Sequence, residues 1–124
     1  MAIVGLGTDI VEIARIDAAI QRSPRLVERV LTPHEQAIFA SSQQPVRYFA
    51  KRFAAKEAAA KALGTGIGRG VSFQHIDVSN NDFGAPVITL NGGATARLKQ
   101  IGGMQLFLSI ADEQHYVTAT VVIE

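Results

Sequence analysis

The chain contains no cysteine. That excludes disulfides, thiolate metal ligands and cysteine nucleophiles, and it fits a reducing compartment. Charge is also scarce: 19% of the 124 residues are Asp, Glu, Lys or Arg, against about 25% in typical soluble domains. A small monomer has much surface to solvate, so the shortage predicts that another copy covers part of it. The net charge is only +1, which gives no overall field favouring nucleic acid. No apolar run is long enough to span a bilayer. The N-terminal residues carry no basic stretch of the signal-peptide kind and meet Asp9 within a few positions. The expectation is one cytoplasmic domain over residues 1–124, bound to neither nucleic acid nor membrane.

The charge present is uneven. Residues 1–70 hold ten Lys or Arg against six Asp or Glu, and residues 71–124 hold two against five. A basic N-terminal half suits an acidic partner or a polyphosphate.

Periodicity predicts helices early and strands late. Ala2–Gly7 reads as a strand buried on both faces, with Asp9 just past its end. Val11–Arg22 reads as a helix closed by Ser23 and Pro24. Thr32-Pro33-His34-Glu35 has the spacing of a capping box and opens a helix to about Ala40. A long helix covers Val46–Leu63, with Phe49, Phe53, Ala60 and Leu63 on one face and alanines opposite. Strands follow over Val71–Ser79, Pro86–Leu90, Met104–Ala111 and Tyr116–Ile123, interrupted by a short helix over Ala94–Ile101. This order predicts an α+β fold, a largely antiparallel sheet packed against helices around one long central helix.

Chemistry concentrates in the long helix and the loop after it. Glu57 and Lys61 stand at i,i+4, which suits either an ordinary helical ion pair or one carboxylate of a cation site on a helix too buried to leave it unmatched. Asp9 suits a helix N-cap or a second oxygen ligand. Two carboxylates from distant segments, with the other positions left to water and phosphate oxygens, are what magnesium prefers. The loop Gly64-Thr65-Gly66-Ile67-Gly68-Arg69-Gly70 is either a helix end with a flexible connector or bare backbone for phosphates. It matches neither a Walker loop nor a dinucleotide fingerprint. Arg15, Arg22, Arg25 and Arg29 form either a solvated face or a docking surface for an acidic protein. His34, His75 and His115 show no metal-ligand spacing and receive no catalytic role.

Two stretches, Gly5-Leu-Gly-Thr-Asp9-Ile-Val-Glu12-Ile and Arg52-Phe-Ala-Ala-Lys56-Glu57-Ala-Ala-Ala-Lys61-Ala-Leu-Gly-Thr-Gly66-Ile, together resemble the holo-[acyl-carrier-protein] synthases. These are small trimeric 4′-phosphopantetheinyl transferases. Lesser agreement runs through Gly84-Ala-Pro86 and the closing Leu-Ser-Ile hairpin, so the resemblance covers the whole chain.

The resemblance implies that Asp9 and Glu57 hold Mg2+ against the diphosphate of coenzyme A, the co-substrate. It implies that Lys61, with Arg52, neutralises phosphate charge and that Glu57 and Lys61 are catalytic. Gly64, Thr65 and Gly66 would lie along the nucleotide. Pro86 would line the pocket from a neighbouring subunit of a homotrimer with sites at its interfaces. Arg15 and Arg25 would receive apo acyl carrier protein. The implied reaction moves the phosphopantetheine arm onto a carrier serine, releases adenosine 3′,5′-bisphosphate and supports fatty acid biosynthesis. Proton removal from the serine would fall to Glu57 or a metal-bound water. One departure stands out: many relatives carry histidine where this chain has Ala111-Asp112, so Asp112 reads as a turn residue or an added metal-side carboxylate. The competing reading is a non-catalytic oligomeric module that binds a nucleotide or an acidic protein.

Overall fold

The computed structural model describes residues 2–124. Strand β1 (Gly5–Glu12) is followed by four helices: α1 (Ile13–Arg22), α2 (Arg25–Val30), α3 (Pro33–Ser41) and α4 (Pro45–Ala62). A short 3₁₀ turn (Phe73–His75) leads into β2 (Ile76–Asn80) and β3 (Pro86–Leu90). Helix α5 (Gly92–Gln100) then precedes β4 (Leu106–Asp112) and β5 (Tyr116–Ile123). All pairing is antiparallel. The strands form a three-stranded sheet in the order β1-β5-β4 and a separate β2-β3 hairpin. The α+β expectation holds.

Helix α4 is the axis of the molecule because alanine lets it be. Ala50, Ala54, Ala55, Ala58, Ala59 and Ala60 are fully buried, as is Phe49. Small side chains bring the helix against β1 until backbone nearly meets backbone. A methyl group on Gly5 would run into the carbonyl of Ala62, and one on Gly7 into that of Ala58. On the other side Phe39, Phe49, Phe53 and Phe73 form a chain of rings with centroids 5.7–6.4 Å apart, a spacing at which aromatic pairs attract.

The capping box is present: Thr32 N–H donates to Glu35 Oε1 at 2.8 Å. Glu35 does more than cap. It is fully buried and paired with the equally buried Lys56 at 2.7 Å, and its Oε2 accepts from Val78 N–H at 2.7 Å. Lys56 Nζ also donates to the carbonyls of Val30 (2.6 Å) and Phe73 (3.2 Å). Burial pulls the Lys56 ammonium below its ordinary range, and Glu35 opposes this. Every charge is answered, so this buried pair ties α4 to α3, β2, the end of α2 and the 3₁₀ turn.

Three expectations need correction. The first strand runs Gly5–Glu12, so Asp9 lies within it and caps no helix; α1 starts at Ile13 with Glu12 at its N-cap. That strand is also buried on one face only: Gly7 faces α4, while Leu6 and Ile10 are 67% and 64% exposed. Ser23 and Pro24 close α1 at Arg22 as expected, but the stretch after them, to which no element was assigned, forms α2 with Pro24 at its N-cap. The strand predicted from Val71 begins only at Ile76, because Ser72 N–H donates to His75 Nδ1 and closes the intervening turn.

Candidate functional site

In β1, side chains alternate between the α4 face and the outer face of the sheet. Asp9 falls on the inner side, opposite Ala119 of β5, and so meets the C-terminal half of α4. There Lys61 Nζ donates to Asp9 Oδ1 at 3.0 Å and to the Thr8 carbonyl at 3.0 Å. Asp9 Oδ2 is buried and has no hydrogen-bond partner among the described residues. Glu57 lies one turn before Lys61 on the same helix. Burial, and next the charge of Asp9, raise its carboxyl above the usual range, with Lys61 acting in the opposite sense.

Two carboxylates thus repel each other beside a single ammonium, and one oxygen is left unmatched. A hard divalent cation is the group that such an arrangement fits. Magnesium takes one or two carboxylates and fills its remaining positions with water and phosphate oxygens. No cluster of three or more Asp, Glu, His or Cys occurs among the described residues.

The cations divide into two groups. Lys61 belongs to the carboxylates. Arg52 projects to the other side of α4, since the 100° turn per residue places positions 52 and 61 about 180° apart. Arg52 is buried, donates from Nη2 to Asn80 Oδ1 at 2.7 Å, and lies 4.7 Å over the Tyr48 ring. Arg52 Nε and Tyr48 Oη are buried and have no hydrogen-bond partner among the described residues. Both residues line a groove of about 530 Å³ between α4, the β2-β3 hairpin and the end of β4, together with Arg47, Lys51, Pro86 and Asp112. The structure therefore joins Arg52 to Pro86 and separates both from Asp9, Glu57 and Lys61.

The family model for the 4′-phosphopantetheinyl transferase superfamily matches residues 5–121. The chain belongs to that superfamily. It is 65% identical to the holo-[acyl-carrier-protein] synthase of Shewanella pealeana, over 98% of each chain. The crystal structure of the holo-[acyl-carrier-protein] synthase from Neisseria meningitidis is 41% identical and superposes with a TM-score of 0.93 over 99% of both chains. The Helicobacter pylori holo-[acyl-carrier-protein] synthase, solved in complex with coenzyme A, is 34% identical with a TM-score of 0.83, covering 96% of this chain and 99% of that one.

In this superfamily member the glycine loop follows α4 directly on the side of its C-terminal end. Gly64 and Gly66 take φ of +80° and +62°, a region open to glycine and strained for most residues. The Thr65 and Gly66 N–H groups fold back onto the Ala60 carbonyl at 3.3 and 3.1 Å, and Thr65 Oγ1 donates to the Gly66 carbonyl at 2.7 Å. Arg97 of α5 donates to the Leu63 carbonyl at 2.8 Å and closes the helix end.

Arg15 is 87% exposed and pairs loosely with Glu12 at 3.3 Å. It lines a depression with Ile10, Ile16 and Tyr116. Arg25 opens α2 beside Leu26 and Arg29, in a separate shallow depression. Asp112 ends β4 inside the groove, hydrogen-bonded to Arg47 at 2.7 Å, and is no partner of the Asp9–Glu57 pair. Lys51, Arg47 and the Lys56–Glu35 pair escaped sequence reasoning. For Lys51 and Arg47 the available signal was their spacing with Arg52 along one stretch of α4.

Proposed function

We propose that this chain transfers the 4′-phosphopantetheine arm of coenzyme A to a serine of apo acyl carrier protein, as a holo-[acyl-carrier-protein] synthase serving fatty acid biosynthesis in the cytoplasm. The observation that carries the reading is the carboxylate pair Asp9 and Glu57, packed beside Lys61 with Asp9 Oδ2 unmatched. A module that merely bound phosphate would gain nothing from acids at the anion.

In this reading Asp9 and Glu57 hold Mg2+, which neutralises the donor's diphosphate and its leaving group when bound. Lys61 contributes a second positive charge from the same side. Gly64, Thr65 and Gly66 offer backbone without bulk along the nucleotide. The carrier serine oxygen bonds to the phosphorus that bears pantetheine. The bond from that phosphorus to the bridging oxygen breaks, and adenosine 3′,5′-bisphosphate departs with the electron pair. The serine proton passes to Glu57 or to water. Transfer of this kind asks for positioning and charge neutralisation more than covalent help, so the lack of a nucleophile motif is no obstacle.

The functional unit we propose is a homotrimer. Helix α4 separates the carboxylates from the Arg52–Pro86 groove, and with side chains a helix is about 10–12 Å across. One donor molecule reaches both only if a neighbouring copy supplies one of them. The outer face of the sheet supports such packing: Leu6, Val122 and Phe107 align across β1, β5 and β4, Ile10, Thr118 and Ala111 form a parallel row, and only the hydroxyl residues Thr8, Thr120 and Ser109 stand between them. An exposed face with apolar side chains and no charge suits an interface. Arg15 and Arg25 then receive the acidic carrier protein. Among the described residues no helix is long and apolar enough to cross a membrane.

The test incubates the protein with coenzyme A, magnesium and apo carrier protein and weighs the carrier. A mass gain equal to one phosphopantetheine supports the transferase. An unchanged mass with every divalent metal tried leaves only the binding module.

A further inference from the structure

The groove that holds Arg52 also contains a carboxylate, and its hydrogen bonds suggest a use. Arg47 Nη1 donates to Asp112 Oδ2 at 2.7 Å and to the Glu113 carbonyl at 2.9 Å, while Nη2 donates to the Gln114 carbonyl at 3.1 Å. Arg47 is therefore committed to the β4–β5 turn and fixes one oxygen of Asp112. The other oxygen, Oδ1, faces Lys51 Nζ at 3.6 Å. That pair is too long for a hydrogen bond and both side chains are about one-third exposed, so it separates readily. Arg52, already bonded to Asn80, has a buried Nε with no hydrogen-bond partner among the described residues. Lys51 and Arg52 are thus the cations a ligand can recruit, and Asp112 already stands at one of them.

We infer that Asp112 is an internal counter-anion that occupies Lys51 until a phosphate monoester displaces it. It thereby limits how tightly the groove holds that phosphate. The inference rests on the proposed function, in which the donor reaches this groove from a neighbouring copy, and adds that its 3′-phosphate enters here. A dianionic phosphate attracts Lys51 more strongly than a carboxylate does at equal distance, because Coulomb energy scales with the product of charges. Such a ligand can displace Asp112, whereas a donor without the 3′-phosphate, left with only its diphosphate diester, offers Lys51 no monoester dianion. Donor and departing bisphosphate carry the same 3′-phosphate, so an undamped groove would retain the product. Asp112 accordingly favours release.

Asp112→Asn isolates the charge. The asparagine carbonyl oxygen still accepts from Arg47, and the two carbonyl bonds of Arg47 keep the turn in place. Calorimetric titration of the full chain with adenosine 3′,5′-bisphosphate should show roughly two- to fivefold tighter binding in this variant, the range expected for removing an exposed charge partner. Dephospho-coenzyme A, whose only phosphates form the diphosphate diester, should bind the variant and the parent equally. In a Lys51→Met background the tightening should vanish, since the two groups are coupled. Unchanged or weaker bisphosphate binding in Asp112→Asn overturns the inference. If Lys51→Met also leaves the parent's bisphosphate affinity unchanged, the groove assignment falls with it; if Lys51→Met weakens that affinity, only the role of Asp112 falls.

Discussion

Arg52 and Lys61 leave α4 on opposite sides, one bonded to Asn80 of β2 and the other to Asp9 of β1. Both are cations suited to phosphate, yet the helix that carries them keeps them apart. The proposed trimer would divide the labour between copies, and mixing tests this. Asp9→Asn should be inactive because it removes a carboxylate, and Arg52→Ala should be nearly inactive because it empties the groove. Mixed trimers of the two, refolded together, should regain part of the activity, since some interfaces then pair an intact groove with intact acids. Activity absent from every mixture would place both residues in one chain's site.

The outer sheet face gives a second prediction. Ile10→Glu puts a charge into the row formed with Thr118 and Ala111. Sedimentation should show the single chain in place of the assembly, far-ultraviolet circular dichroism should be retained, and turnover should be lost. An intact assembly would move the interface elsewhere.

The Lys56–Glu35 pair predicts a stability effect. Lys56→Met leaves Glu35 buried and unpaired, at a cost of about 3–5 kcal/mol. Adding Glu35→Gln should recover part of that loss, with a coupling of more than about 1 kcal/mol in denaturant unfolding. Strict additivity would mean that the pair contributes nothing as a pair.

Glu57 predicts a pH dependence whose sign follows from its raised carboxyl. Folding disfavours the charged form, so in metal-free protein the carboxylate destabilises above its folded pKa, and the penalty disappears as pH falls to the unfolded value. Glu57→Gln should therefore raise the melting temperature in chelator at neutral pH and lose that advantage on acidification. Saturating magnesium and coenzyme A should reverse the order at neutral pH. Equal melting temperatures across the pH range would show that Glu57 carries no such penalty.

Much of this architecture was legible because it is local. The alanine and phenylalanine pattern from Val46 to Leu63 specified α4, the Thr32–Glu35 spacing specified the start of α3, and the Pro86–Leu90 strand appears as expected. Asp9, Glu57 and Lys61 were chosen from residue type; Lys61 does bond to Asp9, and Glu57 lies near enough for the charge of Asp9 to help raise its carboxyl. What stayed hidden is long-range. Nothing in periodicity links Glu35 to Lys56, or Asp112 to Arg47, because tertiary packing alone brings those positions together. The exposed face of β1 misled for a related reason: an apolar residue such as Leu6 reads as core although this chain leaves it exposed.

The account stands most directly on cation binding at the carboxylate pair. Isothermal titration of magnesium into the chain, with coenzyme A present, should record uptake in the parent and none in Asp9→Asn or Glu57→Gln. Equal uptake in parent and variants would contradict it.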